Sequence, residues 1–408
     1  MKQRIALLSL HGCPVARLGE RDTGGMNVCV LQVAKEFGRR GHSVDVFTRR
    51  HDPADPQIVE LGENARVVHI KAGGYDETKE ALYEVIPEFI SNLHEFQRAE
   101  GLDYDLAHSH YWLSGRAGMV LARQWGVSHV ATFHTLAKLK LQARAGEKES
   151  PLRVPTERLI MGAVDAMVVS TESEKRDIAR LYGVSPAKIT VVPPGVDLAL
   201  FRPMDKSEAR RGLGIQESQV VLYVGRLEPL KGIDILIQAA AQLDGREDTR
   251  VLVVGGNRKG DRLVGKLKAQ AEDLGIGQKV TFTGPVAQSE LPRYYNAADV
   301  FVLPSHYESF GLAALEAMAC GVPVVVSRVG GLTTFISDGK EGYLIPWRCP
   351  DPFAQRIEVL LSNPALRSAM GQAARAKAER MGWGVVADRM LGFYDSLLAK
   401  AWESAAGA

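Results

Sequence analysis

The sequence has almost no excess of charge of either sign and contains few cysteines. Fifty lysine and arginine residues stand against 48 aspartate and glutamate residues, which gives a net charge of +2. Because nucleic-acid-binding domains are usually strongly basic, this balance argues against a nucleic acid as the main partner. The four cysteines, at positions 13, 29, 320 and 349, lack the spacing typical of metal sites. We therefore expect free thiols and no metal site.

Long apolar runs are also missing. No segment reaches the about 18 uncharged apolar residues that indicate a membrane span. The short apolar run at residues 4–10 continues into a glycine-containing motif, so we interpret it as a first strand and not as a signal peptide. A full G-x-G-x-x-G fingerprint followed by an acidic residue is absent, which argues against a nicotinamide-dependent oxidoreductase. These absences predict a cytoplasmic protein.

What the sequence does contain is a repeated alternation of strand and helix signals. Its 408 residues are too many for one ordinary core, and suggest two domains of about 200 residues each. Strands are predicted at residues 4–10, 43–48, 67–70, 106–108, 129–133, 166–170, 189–192, 220–224, 251–254, 280–282, 300–303, 322–327 and 342–345. Helical patterns lie between them, for example at 27–40, 87–98 and 207–212.

This alternation predicts an α/β protein with two doubly wound parallel sheets. The segment Pro-Pro-Gly-Val-Asp at 193–197 is the best linker, because rigid prolines and a glycine follow the last strand of the first half. We interpret it as a bend without a role in ligand binding. The expected domains are 1–195 and 196–382, followed by an amphipathic tail at 383–408.

Two glutamates eight positions apart form the most informative motif. Residues 299–304 are predicted to be a buried strand that ends at a proline, and a helical pattern runs from Gly311 to the Gly-Val-Pro sequence at 321–323. A helix N-terminus that follows a strand and a short loop can bind an anion through its free amides, here those of residues 309–312. Glu308 would lie beside that anion, and Glu316 could accept hydrogen bonds from the hydroxyls of the same ligand.

The Glu308 and Glu316 pair resembles the E-x7-E signature of retaining nucleotide-sugar glycosyltransferases of family 4. Four further blocks occur in the order found in that family: DTGGMN at 22–27, HSHYWLSG at 108–115, FHTLAK at 133–138 and GRLEPLKG at 225–232. The resemblance covers nearly the whole chain. It implies the GT-B fold, in which two Rossmann-like domains face a central cleft and a C-terminal helix crosses back to the N-terminal domain. The N-terminal domain would bind the acceptor and the C-terminal domain the nucleotide sugar.

The resemblance also implies roles for individual residues. Arg226 and Lys231 would neutralise the leaving diphosphate, so that neither a metal ion nor another cofactor is required. His134 would contact the donor sugar at the reaction centre, where Glu308 also acts. The residues expected to bind the donor are Gly24, Gly25, Ser309, Phe310, Gly311, Leu312 and Glu316.

A second anion site is expected in the first half of the chain. Long cationic side chains and hydroxyl donors there suit a phosphate monoester, for which the fork of an arginine is especially apt. The residues expected to bind the acceptor are Asn27, Lys79, Tyr111, Thr135, Lys138 and Arg153. Asn27 is expected to reach a hydroxyl of the acceptor.

Within the family, the resemblance is greatest to enzymes that glycosylate phosphorylated acceptors. One group uses D-inositol 3-phosphate, and the other, the sucrose-phosphate synthases, uses fructose 6-phosphate. Met26 favours the inositol group, since the sucrose enzymes typically have glutamine there. Cys29 departs from both groups, which usually have tyrosine at that position.

The sequence therefore predicts a retaining glycosyltransferase that uses UDP-glucose or UDP-N-acetylglucosamine and a phosphorylated polyol or sugar, with inositol 3-phosphate preferred. Sucrose-phosphate synthesis is the alternative within the family. A non-catalytic sugar-phosphate-binding protein is the alternative from another class, but it would have no use for the leaving-group cations Arg226 and Lys231. A GT-B phosphorylase is disfavoured, because no lysine context indicates a pyridoxal phosphate site. The sequence leaves open whether the protein is a homodimer.

Overall fold

The computed structural model describes residues 2–16, 24–75, 77–78, 80–243, 248–256, 262–346 and 348–406. Within these ranges the chain forms two compact units. One unit extends to Pro193 and is completed by the residues from Trp383 onward, and the other comprises Pro194–Gly382. Across the described ranges, no helix has both the length and the apolar character needed to span a bilayer.

The N-terminal unit is built on a sheet of eight described strands. They are β1 (Arg4–Leu8), β2 (Ser43–Arg49), β3 (Ile58–Gly62), β4 (Ala65–Ile70), β5 (Leu106–His110), β6 (Ser128–Thr132), β7 (Ala166–Val169) and β8 (Ile189–Val191). Their spatial order is β3-β4-β2-β1-β5-β6-β7-β8. All neighbouring strands are parallel except β3 and β4, which are antiparallel.

The C-terminal unit has a sheet of six described strands, all of them parallel. They are β9 (Gln219–Val224), β10 (Thr249–Val254), β11 (Val280–Gly284), β12 (Val300–Leu303), β13 (Val324–Ser327) and β14 (Gly342–Ile345). The order is β11-β10-β9-β12-β13-β14. The reversal between β9 and β12 creates a switch point, and loops at such points commonly bind ligands in α/β sheets.

Helices connect the strands and cover the sheets. In the first part of the chain they are α1 (Gly25–Arg39), α2 (Ile86–Glu100), α3 (Tyr111–Trp125), α4 (Ala137–Ala143), α5 (Arg153–Ala163) and α6 (Glu172–Tyr182). In the second part they are α7 (Lys206–Leu213), α8 (Ile233–Ala241), α9 (Arg262–Asp273), α10 (Leu291–Ala297), α11 (Leu312–Ala319), α12 (Leu332–Phe335), α13 (Pro350–Ser362) and α14 (Pro364–Ala378). The last helix is α15 (Trp383–Ala406).

Helix α15 packs on the N-terminal unit. The buried ring of Tyr394 meets the ring of Phe37 on α1 edge to face, with centroids 5.7 Å apart. Arg40, just after α1, donates from Nε to Asp388 over 2.7 Å. Gln3 donates from Nε2 to Asp395 over 2.8 Å. Burial of aromatic area supplies most of the attachment, since exposed ion pairs contribute little.

The two expected parallel-sheet, Rossmann-like domains are confirmed. Each predicted strand is present, with ends shifted by up to two residues. The expectation of wholly parallel sheets is wrong at one edge, because β3 runs antiparallel to β4. That strand is only partly buried, so the continuous apolar run that marks a central parallel strand is missing from it.

Candidate active site

The loop between β12 and α11 carries the first glutamate of the motif. Gly311, with φ of 102°, is the N-cap of α11, and no side chain caps the helix. A Cβ atom on Gly311 would lie 2.4 Å from Leu332 Cδ2. The loop before α12 holds the backbone of Glu308, because the Gly331 amide donates to the Glu308 carbonyl over 3.2 Å. The loop thus holds Glu308 beside a helix N-terminus that is suited to an anion.

Lys231 and Glu308 meet at this edge of the sheet. Lys231 ends a 3-10 turn, Pro229–Lys231, that follows β9. Its Nζ lies 2.6 Å from Glu308 Oε2, and the two side chains are 17% and 11% exposed. The His306 amide donates to the Leu230 carbonyl over 2.8 Å, which ties the two loops together. Two residues 77 positions apart therefore form one charged pair.

Arg226 is held differently. Its side chain is half exposed, and its Nη1 lies 2.6 Å from Glu228 Oε1. The buried Tyr223 hydroxyl donates to the Arg226 carbonyl over 2.8 Å, so the backbone is fixed. Arg226 and Lys231 thus pair with different carboxylates. The exposed arginine can turn towards a ligand at a smaller desolvation cost than the lysine.

Glu316 lies in α11 and is buried. Tyr295 donates to its Oε2 over 2.7 Å. Burial raises the pKa of Glu316 to about 7. A solvated helix face would show neither property. The carboxyl keeps acceptor capacity beyond the bond from Tyr295 and can accept a hydroxyl.

We expect Glu316→Gln to change the pH dependence of the protein. The folded pKa of about 7 lies above the ordinary value of 4.5, so the stabilising contribution of this carboxyl is lost as the pH rises through that interval. The glutamine variant should therefore gain stability relative to the wild type as the pH increases to about 7. Urea unfolding at several pH values measures this difference, and a constant difference would contradict the assignment.

The loop between β1 and α1 is closed by Asn27. This residue is 2% exposed. Its Nδ2 donates to the Cys13 carbonyl over 2.8 Å, and its Oδ1 accepts from the Gly24 amide over 3.2 Å. Gly24 and Gly25 form the start of α1, while positions 22 and 23 of the motif lie outside the described residues. Both the oxygen and the nitrogen of the Asn27 side-chain amide are thus hydrogen-bonded within the loop. A contact between Asn27 and an acceptor hydroxyl stays a prediction.

Two histidines meet where β5 and β6 end, His110 as the last residue of β5 and His134 two residues after β6. His110 Nδ1 and His134 Nε2 are 2.9 Å apart, and their rings stack with centroids 5.2 Å apart. His134 has a φ of 59°, which is unusual outside glycine and costs energy at a site that must be held in place. Burial lowers the pKa of His134 to about 3. His134 is therefore a neutral hydrogen-bonding group near pH 7 and carries no extra proton.

His108 belongs to a buried network behind this pair. Its Nδ1 lies 2.5 Å from the Tyr394 hydroxyl and its Nε2 lies 2.9 Å from Thr132 Oγ1. Burial lowers the pKa of His108 to about 3. The network joins α15 to the strand ends that carry His110 and His134.

We expect Tyr394→Phe to destabilise the protein by about 1–3 kcal/mol, because it leaves a buried ring nitrogen of His108 without a partner. Chemical denaturation measures the change. The matched control is Tyr75→Phe at an exposed ring, which should leave stability unchanged. Equal midpoints for Tyr394→Phe and the wild type would show that the hydroxyl contributes nothing.

Arg153 lies in a buried ionic network and is 1% exposed. Its Nε donates to Glu157 over 2.8 Å and its Nη1 donates to Glu149 over 2.7 Å. Its Nη2 donates to the carbonyl and hydroxyl of Thr135 over 2.7 and 2.9 Å. The guanidinium carbon lies 4.8 Å from the centre of the Tyr111 ring. Three of the residues expected to bind the acceptor, Tyr111, Thr135 and Arg153, are therefore brought together.

Of the other two expected cations, Lys138 lies within the described residues. Lys138 donates from Nζ to the Leu181 carbonyl over 2.5 Å, near the end of α6. A cation there favourably meets the negative end of the helix dipole. Lys79 lies outside the described residues. Sequence reasoning missed Glu149 and Glu157. The spacing of four residues between Arg153 and Glu157 in α5 is a recognisable sign of helical ion pairing, whereas Glu149 precedes the helix.

These features define the class of protein. Two Rossmann-like domains, one of which presents a lysine–carboxylate pair beside an uncapped helix N-terminus, make a glycosyltransferase of the GT-B fold. Residues 23–200 match the family described as Glycosyltransferase Family 4, and residues 205–377 match Glycosyl transferases group 1. The chain belongs to glycosyltransferase family 4.

Curated relatives and solved structures cover nearly the whole chain. A protein of Kineococcus radiotolerans named D-inositol 3-phosphate glycosyltransferase is 42% identical, over 96% of this chain and 95% of its own. One of the same name from Corynebacterium glutamicum is 37% identical, over 97% of both chains. The structure of sucrose-phosphate synthase from Thermosynechococcus elongatus is 34% identical with a TM-score of 0.90, over 98% of this chain and all of its own. Anabaena HepE in complex with UDP and glucose, 20% identical over 97% of this chain and 100% of its own, has a TM-score of 0.78 and shows the fold alone.

Proposed function

We propose that the protein transfers a sugar from a UDP-sugar to D-inositol 3-phosphate with retention of the α configuration. The observation that carries the proposal is the Lys231–Glu308 pair, 2.6 Å apart at the uncapped N-terminus of α11. Relatives about 40% identical over their full length are named for this acceptor, which supports the choice of inositol phosphate. Anabaena HepE, a more distant GT-B protein, has been solved in complex with UDP-glucose, which supports a UDP-sugar donor.

The donor diphosphate is proposed to bind at the N-terminus of α11. Its charge would be met by the amides at residues 309–312, by Lys231 and by Arg226 after it turns from Glu228. The Lys231 ammonium then contacts both Glu308 and the leaving oxygen. As the bond between the anomeric carbon and that oxygen breaks, negative charge develops on the diphosphate, and fixed cations stabilise this charge without reorganisation.

Transfer with retention is proposed to occur on one face of the sugar. The acceptor hydroxyl attacks the anomeric carbon from the side on which the nucleoside diphosphate leaves. The proton of that hydroxyl passes to the departing phosphate oxygen, so no side chain has to serve as the base. His134 is neutral near pH 7 and is proposed to bind a hydroxyl of the donor sugar. Glu316 is proposed to accept hydrogen bonds from the ribose.

The acceptor phosphate is proposed to bind beside Tyr111, Thr135 and Arg153. Glu149 is the more exposed of the two carboxylates on Arg153, with 11% of its side chain accessible against none for Glu157. A phosphate that replaced Glu149 would keep the guanidinium charge balanced. Lys138 would contact the acceptor only after its ammonium leaves the Leu181 carbonyl in α6. Asn27 would contact the acceptor only after the loop between β1 and α1 rearranges.

Sucrose-phosphate synthesis is the second candidate. It is favoured by the likeness to the sucrose-phosphate synthase structure, at 34% identity. Met26, which stands where the sucrose enzymes typically have glutamine, favours the inositol acceptor.

A donor-by-acceptor screen tests the proposal. UDP-glucose and UDP-N-acetylglucosamine are each paired with inositol 3-phosphate, fructose 6-phosphate and their dephosphorylated forms, and release of UDP is followed. We expect inositol 3-phosphate to give the fastest release and free inositol almost none. If fructose 6-phosphate alone is used efficiently, it replaces inositol 3-phosphate as the proposed acceptor. Equal rates for phosphorylated and dephosphorylated acceptors would contradict the phosphate site.

A further inference from the structure

Three side chains with metal-binding atoms meet in the N-terminal unit, outside the residues assigned to donor or acceptor. Cys13 follows β1, His51 follows β2 and His69 lies in β4, and these strands are neighbours in the sheet. One ligand atom of each residue lies within 4.8 Å of those of the other two. The Cys13 Sγ is 3.3 Å from His69 Nε2. Ligands of a tetrahedral zinc ion are about 3.5 Å apart, given the usual bond lengths.

His69 is oriented through the ring nitrogen that faces away from the cysteine. His69 Nδ1 lies 2.7 Å from the Pro56 carbonyl oxygen. His51 Nδ1 lies 2.9 Å from Asp55 Oδ2. A metal-binding histidine almost always donates its second N–H to a carbonyl or carboxylate, which fixes the tautomer and makes the other nitrogen a better ligand. The Nε2 atom of His69 is thus left for a cation, and His51 offers one ring nitrogen to the same cluster.

Burial and charge also suit a metal ion. Cys13 is 6% and His69 is 3% exposed, so the two would bind a cation away from bulk water. The His51 side chain is 36% exposed and gives access from solvent. Asp55 supplies a negative charge behind His51. The nearby Arg50 guanidinium donates to the Pro53 carbonyl over 2.8 Å.

We propose that Cys13, His51 and His69 form a three-residue site for a thiophilic divalent cation of the Zn²⁺ type, with the fourth position taken by water or a small ligand. The combination of one thiolate and two imidazoles selects such cations over Mg²⁺ or Ca²⁺, which prefer oxygen. On binding, the bond from Cys13 sulfur to hydrogen is replaced by one to the metal, and the proton leaves to solvent.

The site would fix the loop that follows β1. The Cys13 carbonyl accepts from Asn27 Nδ2 over 2.8 Å, so a cation bound to the Cys13 sulfur would also steady the residue that closes the start of α1. The inference is independent of the proposed function, because it needs neither the donor nor the acceptor. Sequence spacing could not indicate it, since only the pairing of β1, β2 and β4 brings the three residues together.

Metal titration of the full-length protein tests the site. Protein stripped with a chelator is titrated with Zn²⁺ against a chromophoric competitor and, separately, with Co²⁺. We expect one Zn²⁺ per chain, a higher thermal midpoint when Zn²⁺ is present, and a Co²⁺ complex with tetrahedral visible bands and a near-ultraviolet thiolate band. Cys13→Ser should abolish the thiolate band, and His51→Ala should weaken Zn²⁺ binding by about 10-fold or more.

Matched variants keep the result interpretable. His51 is partly exposed, so His51→Ala should fold normally, as circular dichroism will show, even if Cys13→Ser does not. Cys349→Ser, at a cysteine that is neither buried nor part of the cluster, should bind both metals like the wild type. The site is refuted if Co²⁺ gives no thiolate band with the wild type, or if His51→Ala binds Zn²⁺ as tightly as the wild type.

Discussion

Lys231→Ala should lower the turnover number by about 100-fold or more, the scale of one lost charge contact in a transition state. The Lys231 ammonium lies 2.6 Å from Glu308 in the loop before α11. Without the ammonium, one cation fewer stabilises the departing diphosphate. Donor binding should weaken much less, because the extra charge develops only as the bond to the sugar breaks. Steady-state kinetics with saturating acceptor measures both quantities.

Two variants separate this role from a structural one. Lys266→Ala removes an exposed lysine of α9 in the same unit, and should leave turnover unchanged. Glu308→Gln keeps the shape of the loop but removes the partner charge, and should also mainly lower turnover. Near-normal turnover in both Lys231→Ala and Arg226→Ala would remove the leaving-group role from these cations.

Arg153→Ala should destabilise the protein by about 3–5 kcal/mol, because it removes the positive counter-charge from the buried carboxylate of Glu157, which keeps hydrogen bonds from the Tyr182 hydroxyl and the Ala137 amide. Glu157 has no exposed side-chain surface and Glu149 has 11%. Urea unfolding of the purified variant measures the loss. The control, Arg158→Ala, lies in the same helix at an exposed position, and should be neutral. A stability equal to that of the wild type would contradict the ionic network.

The same arginine allows a test of the acceptor site. Arg153→Lys keeps the charge but loses the fork, so it should fold better than the alanine variant while favouring the phosphorylated acceptor less. A hydrogen bond to a charged group contributes about 1.5–3 kcal/mol, which predicts a change in preference of at least 10-fold. Donor hydrolysis without acceptor should persist. An unchanged preference for the phosphorylated acceptor would place the phosphate elsewhere.

Much of the fold could be predicted because the strands are short and buried on both faces. Runs such as residues 220–224 and 300–303 are apolar throughout, which is typical of central parallel strands. Strand β3 was missed, because its residues are half exposed and pair only at the sheet edge. Strand β5 runs two residues further than expected, through Ser109 and His110, since buried polar side chains interrupt the apolar pattern.

The sequence predicted which residues gather in the C-terminal unit better than in the N-terminal one. Glu308 and Lys231 each follow a central strand closely, so topology alone brings them to one edge. Arg153 was expected to be available to a phosphate, yet its partners Glu149 and Glu157 depend on how α5 packs. Lys138 was placed with Arg153 because both are cationic, whereas its ammonium turns to the carbonyl of Leu181. Long side chains have many reachable partners, and only packing decides among them.

The most direct test is the structure of the product made from UDP-N-acetylglucosamine and inositol 3-phosphate. The product is isolated, and nuclear magnetic resonance gives the configuration at its anomeric carbon. The account predicts one UDP released for each glycosylated inositol phosphate and an α linkage, matching the donor. A β linkage, or UDP release without a glycosylated product, would contradict it.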